Sequence, residues 1–330
     1  MTSFADSVKS TALIPYDPTL PHISAQTRLE LVCDQVATRS LENAKYAANH
    51  FPQVPPRVFT GRNFVHFNAS LNTPRCLKTD ATIDIEIFTA TSGNSKAPVV
   101  IFSHGYTTLP ARYRPLLGEL ASHGYTILSL THSSSIEEKQ GLKLMEEIAY
   151  TDQLAATMAN NIQYVLNRVR SGALKDLGDP NRIVLAGHSV GGAASIMVSR
   201  IDPAILGCIN LDGVLKGVNR TDGIAQPLLM ITGDTDNYKR SFEEDLQHPE
   251  KDVRDYIEAS LQSLEEYEIL NRNSARSEKL SIPGARHMDF TDQPFQEHFA
   301  GNKTVSEAMR VHALVSQKVL KFMSSVCDTK

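Results

Sequence analysis

The sequence predicts an α/β protein with a mostly parallel central sheet flanked by helices. Three observations carry this. Short apolar runs of strand length alternate with amphipathic runs of helix length. One strand-like run, Arg182-Ile183-Val184-Leu185-Ala186, passes through Gly187-His188-Ser189-Val190-Gly191 directly into a small-residue helix beginning Gly192-Ala193-Ala194. Two later apolar runs each close on an acidic turn, where parallel sheets place their ligands.

In chain order, residues 1–60 read as an N-terminal helical extension. Leu29, Val32 and Val36 fall on one face of a helix over Thr27–His50, and Thr27 with Glu30 forms a capping-box pattern. Residues 61–330 read as one catalytic domain, because no Gly/Ser- or Pro-rich linker divides them. Strands are expected at Asn63–Asn68, Ile83–Phe88, Pro98–Phe102 and Tyr125–Leu130, with a helix over Ala111–Ser122 between the last two. A helix follows at Thr151–Arg170, with Leu154, Met158, Ile162, Val165 and Val169 at helical spacing, and leads through Gly178-Asp179-Pro180 to the central motif. Beyond it come strands at Ile205–Leu211 and Pro227–Thr232. An acidic helical insertion spans about 237–278; Ser241–Leu270 holds ten acids against Lys251 and Arg254, which reads as a solvated excursion. The last strand is expected at Leu280–Ile282, and a final helix opens at a Thr304/Glu307 capping box.

Composition excludes several classes of function. With 41% hydrophobic and 21% charged residues the chain of 330 residues buries a large core. A net charge of −4 gives no footprint for nucleic acid, and no apolar run reaches the length of a membrane span. The first residues carry Asp6, Lys9 and Asp17 where a secretory signal needs an unbroken apolar stretch, so a cytoplasmic protein is expected. Cys33, Cys76, Cys208 and Cys327 are widely separated, which argues against a zinc site or a redox pair. No metal or other cofactor is implied, the expected partner is a small molecule, and oligomeric state leaves no mark on the sequence.

The chemistry centres on Ser189. In G-x-S-x-G between a strand and a helix, the serine sits at the apex of a sharp turn with its hydroxyl exposed, while the flanking glycines leave room for the bend. A serine hydroxyl is a weak nucleophile at neutral pH, so it needs an imidazole to take its proton and a carboxylate to hold that imidazole. His287, after the last core strand, completes the order Ser, acid, His. Its rivals are His132, His104, His188 and His298. His188 occupies the variable position of the turn, where its side chain is expected to leave the site. His104 is expected to matter through its backbone, and His132 either lines the pocket or is a strand-end histidine with satisfied hydrogen bonds. The ends of two strands compete to supply the carboxylate: counting strands favours Asp234 or Asp236, while Asp212 closes the earlier buried strand and needs a partner there. The amides of Tyr106 and Val190 are the expected donors to a tetrahedral oxyanion, and Thr107, Thr108 and Met288 are expected beside the substrate.

The segments Val99–Gly105, Leu120–Tyr125, Gly187–Ala193, Asn210–Gly213 and His287–Asp292 together resemble the platelet-activating-factor acetylhydrolase family of serine esterases, over roughly 97–292. Dienelactone-hydrolase and polyester-hydrolase types of esterase share much of the pattern. The resemblance implies an α/β-hydrolase fold, metal-independent ester hydrolysis, a Ser189/Asp212/His287 triad, and an oxyanion hole at Tyr106 and Val190. The function expected is hydrolysis of carboxylic esters with short or medium acyl groups through an acyl-enzyme. An acyltransferase or thioesterase with the same triad, or a non-catalytic hydrolase scaffold used for binding, are the alternatives.

Overall fold

The apolar runs assemble into one twisted sheet whose buried strands are apolar on both faces, as parallel strands covered by helices must be. The computed structural model describes residues 64–73, 79–90, 96–172 and 177–328. Its strands are β1 (Phe64–Asn72), β2 (Thr82–Ala90), β3 (Val99–Ser103), β4 (Thr126–Thr131), β5 (Ile183–His188), β6 (Gly207–Leu211), β7 (Leu228–Thr232) and β8 (Ser277–Ser281). The helices are α1 (Arg114–Ser122), α2 (Leu144–Arg170), α3 (Val190–Ile201), α4 (Thr235–Glu244), α5 (Lys251–Asn273), α6 (Gln293–Phe299) and α7 (Val305–Cys327). The sheet order is β1-β2-β4-β3-β5-β6-β7-β8. β2 runs antiparallel to β1 and β4, and the pairs from β4 onward are parallel.

Alternation along each strand divides the core. Val100, Phe102, Val184, Ala186, Ile209 and Leu229 face α1 and α7, meeting Leu117, Leu120, Val315, Val319 and Phe322. Their sequence neighbours Val99, Ile101, Ile183 and Leu185 face α2 and α3, meeting Met158, Ile162, Val165, Ala194 and Val198. Each fully buried Leu, Ile or Val contributes roughly 1.5–3 kcal/mol, so the central strands are fixed in register by side chains on both faces. The chain steps from β3 to β4 in one direction and then to β5 in the other. That reversal opens a crevice at the carboxyl ends of β3 and β5.

Several boundaries differ from expectation for identifiable reasons. The helix expected at Thr151 begins at Leu144, with Glu146 accepting from the Lys143 N–H at 3.0 Å. Its first two turns rim the crevice, so they lack the core periodicity that marks the rest. The expected helix over Ala111–Ser122 divides into a 3-10 turn, Pro110–Tyr113, and α1. β8 is an edge strand whose Ser277, Glu278 and Lys279 are polar, which hid its first half. The acidic segment is not a solvated excursion. It forms α4 and α5, and α5 buries Ile257, Tyr267 and Leu270, the last two against Cys208, Leu228 and Met230. The Thr304/Glu307 box opens α7 as expected, with Thr304 N–H donating to Glu307 Oε2 at 2.7 Å. The Thr27–His50 helix, the N-terminal extension, Cys33 and Cys76 lie outside the described residues. Among the described residues no helix is long and apolar enough to cross a membrane.

Candidate active site

Ser189 caps α3 with φ 54° and ψ −127°, a conformation that costs a non-glycine residue of order 1–3 kcal/mol and persists only where the surroundings impose it. Here the surroundings are explicit. Ser189 N–H donates to Leu211 O at 3.0 Å, tying the turn to β6. Gly191 packs so closely beneath β3 that an added Cβ would lie 2.3 Å from Ser103 O and 2.4 Å from His104 O. Four non-glycine residues among those described have positive φ, and three of them, Thr107, Ser189 and Asp212, stand at this crevice. Strain is concentrated where the sequence placed the chemistry.

The structure brings Asp212 and His287 together. His287 Nδ1 donates to Asp212 Oδ2 at 2.7 Å, and Gly233 N–H donates to Asp212 Oδ1 at 2.7 Å. Burial works to raise the Asp212 carboxyl, but the bonds from His287 and Gly233 outweigh it and hold the group below its ordinary value, so it stays ionised. The turn carrying it is fixed by Asp212 N–H donating to Ile231 O at 2.7 Å and by Asn210, whose amide accepts from Gly213 N–H and donates to Gly213 O. Asp234 is otherwise employed. Its two oxygens accept from Asn237 N–H at 3.0 Å and Gly284 N–H at 2.7 Å, making it the cap of α4. Asp236 is exposed at the cleft, and no hydrogen bond ties it to His287. Ser189 and His287 line one cleft, and no hydrogen bond joins their side chains.

The Val190 N–H is the first in α3, one of the orphan donors at the positive end of the helix. Tyr106 follows Gly105 at the end of β3, and an added Cβ on Gly105 would lie 3.0 Å from Ser189 Cβ, so glycine is what lets the two loops touch. Tyr106, Thr107, Thr108, Val190 and Met288 all line the cleft.

His132 follows the second of its two expected readings, and His188 departs from expectation. His132 does not line the cleft: it is fully buried, with Nε2 3.0 Å from Ser103 Oγ and Nδ1 3.0 Å from Asn161 Nδ2. His188 does not turn away. Its ring lies 4.5 Å from that of His287, its Nε2 donates to His287 O at 3.0 Å, and its Nδ1 accepts from Tyr113 Oη at 2.8 Å. Burial, with His287 adding to it, pushes His188 down to about 3, so it is neutral and carries one proton. His104 is also fully buried, and His298 bonds to Lys303 O at the end of α6. Tyr113 gave no signal in the sequence because it sits on an irregular 3-10 turn. Phe242 and Tyr256, whose rings meet edge to face at 6.4 Å, were hidden in the acidic segment; with Leu261 and Leu264 they roof a cleft of about 880 Å³. Among the described residues no group of His, Cys, Asp and Glu could hold a metal ion.

A strand-to-helix serine turn at a switch point, faced by a histidine that donates to a strand-end aspartate, defines an α/β-hydrolase. Among solved structures the chain is similar to a ferulic acid esterase from Streptomyces cinnamoneus, with TM-score 0.59 and 17% identity over 83% of this chain and 92% of that one, a likeness of fold. The chain belongs to the chlorophyllase family, whose family model matches residues 58–231. It is an ester-hydrolysing enzyme, as the resemblance drawn from its motifs implied, although the matching family is not that of the platelet-activating-factor acetylhydrolases. No curated protein matches the chain.

Proposed function

We propose that the protein hydrolyses carboxylic esters through an acyl-enzyme on Ser189. His287 Nε2 takes the Ser189 proton as Oγ attacks the ester carbonyl, and Asp212 holds the imidazole in the Nδ1–H tautomer and stabilises the imidazolium that forms. The oxyanion meets the amides of Tyr106 and Val190. Collapse expels the alcohol, which leaves with the proton from His287. Water then enters and gives a proton to the same nitrogen as its oxygen attacks the acyl carbon; the second collapse breaks the bond to Ser189 Oγ, which takes that proton back from His287 as the acid leaves.

The observation that carries this reading is the 2.7 Å bond from His287 to Asp212 across a cleft that also holds Ser189 in a strained turn. For substrate we propose an ester with a short or medium acyl group and one bulky component. A cleft of about 880 Å³ is the size that buries most of a drug-sized molecule. Chlorophyllases are named for chlorophyll and the structural neighbour for ferulic acid, which fits an ester with one large or aromatic part.

A fluorophosphonate probe tests the nucleophile. It should label the wild-type protein at Ser189 alone and leave Ser189→Ala unlabelled and without esterase activity. Labelling that persists in the variant would sink the assignment.

A further inference from the structure

The side chains hydrogen-bonded to the Gly105 backbone take no part in the proposed reaction. The Gly105 carbonyl accepts from His104 Nδ1 and from Thr108 Oγ1, both at 2.8 Å, and its N–H donates to Tyr113 Oη at 3.1 Å. The proton positions follow from backbone groups that have one option each. The His132 N–H can only donate, and it lies 3.0 Å from His104 Nε2. That nitrogen is therefore bare, and the neutral His104 ring carries its proton on Nδ1, toward Gly105 O.

The layer behind is fixed in the same way. Asp80 N–H donates to Asn161 Oδ1 at 3.0 Å, which orients the amide so that its NH₂ faces Asp80 Oδ2 at 2.7 Å and His132 Nδ1 at 3.0 Å. His132 then keeps its proton on Nε2, toward Ser103 Oγ. Burial pushes His104 down to about 4 and His132 well below its usual value, so neither ring charges at neutral pH. On the opposite side Tyr113 donates to His188, and burial pushes its phenol up to about 12, so it keeps that proton.

A trans peptide points its C=O and the next N–H in opposite directions, and no described peptide bond is cis. Fixing Gly105 O toward His104 and Thr108 therefore aims the Tyr106 N–H the other way, where it meets no protein acceptor among the described residues. The following residue is pinned too, with Thr107 N–H donating to Ser135 O at 2.8 Å.

We propose that His104, together with Thr108, is a positioning residue that clamps the Gly105–Tyr106 peptide and so preorganises the Tyr106 amide for the oxyanion. The proposal rests on the assignment of that amide made above. Its test compares the full-length protein with His104→Phe, His104→Asn and Thr108→Val, measuring kcat and KM on an aryl ester and inhibition by a trifluoromethyl ketone, whose adduct carries the oxyanion. His104→Phe should lower kcat about 10–100-fold with KM little changed, and should weaken the ketone by the same factor. His104→Asn, whose side-chain NH₂ can still reach Gly105 O, should keep more of the activity than His104→Phe. Thr108→Val should lower kcat several-fold at constant KM. Unchanged kcat in both His104→Phe and Thr108→Val, or losses confined to KM, would overturn the proposal, and Thr108→Val decides alone if His104→Phe fails to fold. Fluorophosphonate labelling of the wild-type protein separates the two failures. Absent labelling at Ser189 defeats the esterase mechanism itself, whereas normal labelling with an indifferent His104 defeats only the clamp.

Discussion

Replacing Asp212 with asparagine probes the site most sharply, because the structure fixes how the new side chain must sit. Asn is isosteric with Asp and tolerates the positive φ of 49° at this position, so the backbone has no reason to move. Gly233 N–H, 2.7 Å from Oδ1, requires an acceptor there and so turns the asparagine oxygen toward itself. The NH₂ then faces His287 Nδ1, which must become an acceptor. The imidazole proton moves to Nε2, the nitrogen that receives the Ser189 proton in the proposed mechanism. Flipping the amide would restore the useful tautomer only by opposing two donors at Gly233, at a cost of ~1–3 kcal/mol. The flipped form is therefore roughly one part in 5 to one in 150, and it still lacks the charge that stabilises the imidazolium. The expected loss in kcat is about 10²–10⁴-fold, or ~3–5 kcal/mol in the barrier. The assay is kcat on a chromogenic ester with a thermal melt alongside, and Tm should stay near that of the wild type. Activity within tenfold of wild type in Asp212→Asn, or a comparable loss in a folded Asp234→Asn, would refute the reasoning.

Three further outcomes follow from particular contacts. Gly191→Ala should destabilise by ~3 kcal/mol or more, because the new Cβ meets carbonyl oxygens of β3 rather than a movable side chain; a Tm depressed by less than about 5 °C would contradict this. Glu86 is held down at about 2; burial works to raise it, but Arg114, with Nη2 at 2.8 Å, and His66 outweigh that. A depressed carboxylate contributes stability above its unfolded value that is lost as pH falls through its folded one. The stability gap between wild type and Glu86→Gln, read from melts across the pH range, should therefore be largest near neutrality, on the order of 3 kcal/mol, and close between about pH 4.5 and 2. A gap that widens on acidification would reverse the sign. Phe242→Ala and Tyr256→Ala should lower kcat/KM about tenfold for esters with a large aromatic part and leave acetyl esters unaffected. Equal losses on both substrates would mean the roof does not contact substrate.

What could be read from the sequence is what one element carries by itself. β3, β5, β6 and β7 are short apolar runs buried on both faces, and each announced itself by hydrophobicity alone. The Ser189 turn was legible because its glycines are demanded by contacts within a few residues and against the adjacent strand, which a local motif encodes. The choice between Asp212 and Asp234 was not legible in the same way. Both end buried strands, and they differ in what lies 50 residues or more along the chain: Gly284 N–H takes an oxygen of Asp234, while His287 takes one of Asp212. His188 shows the same limit. From its position in the turn it has no evident purpose, and its role is set by Tyr113, from a 3-10 turn 75 residues earlier, and by the His287 carbonyl 99 residues later. The acidic segment misled for a different reason. Its charges mark the solvent face of α4 and α5, whereas Phe242, Tyr256, Leu261 and Leu264 line a cleft, and the periodicity of a helix does not distinguish an apolar cleft from a core. Strands and turns are written in local pattern; the tautomers, caps and roof that turn them into a site are written in pairs of residues far apart, and those become readable only when the sheet order places them side by side.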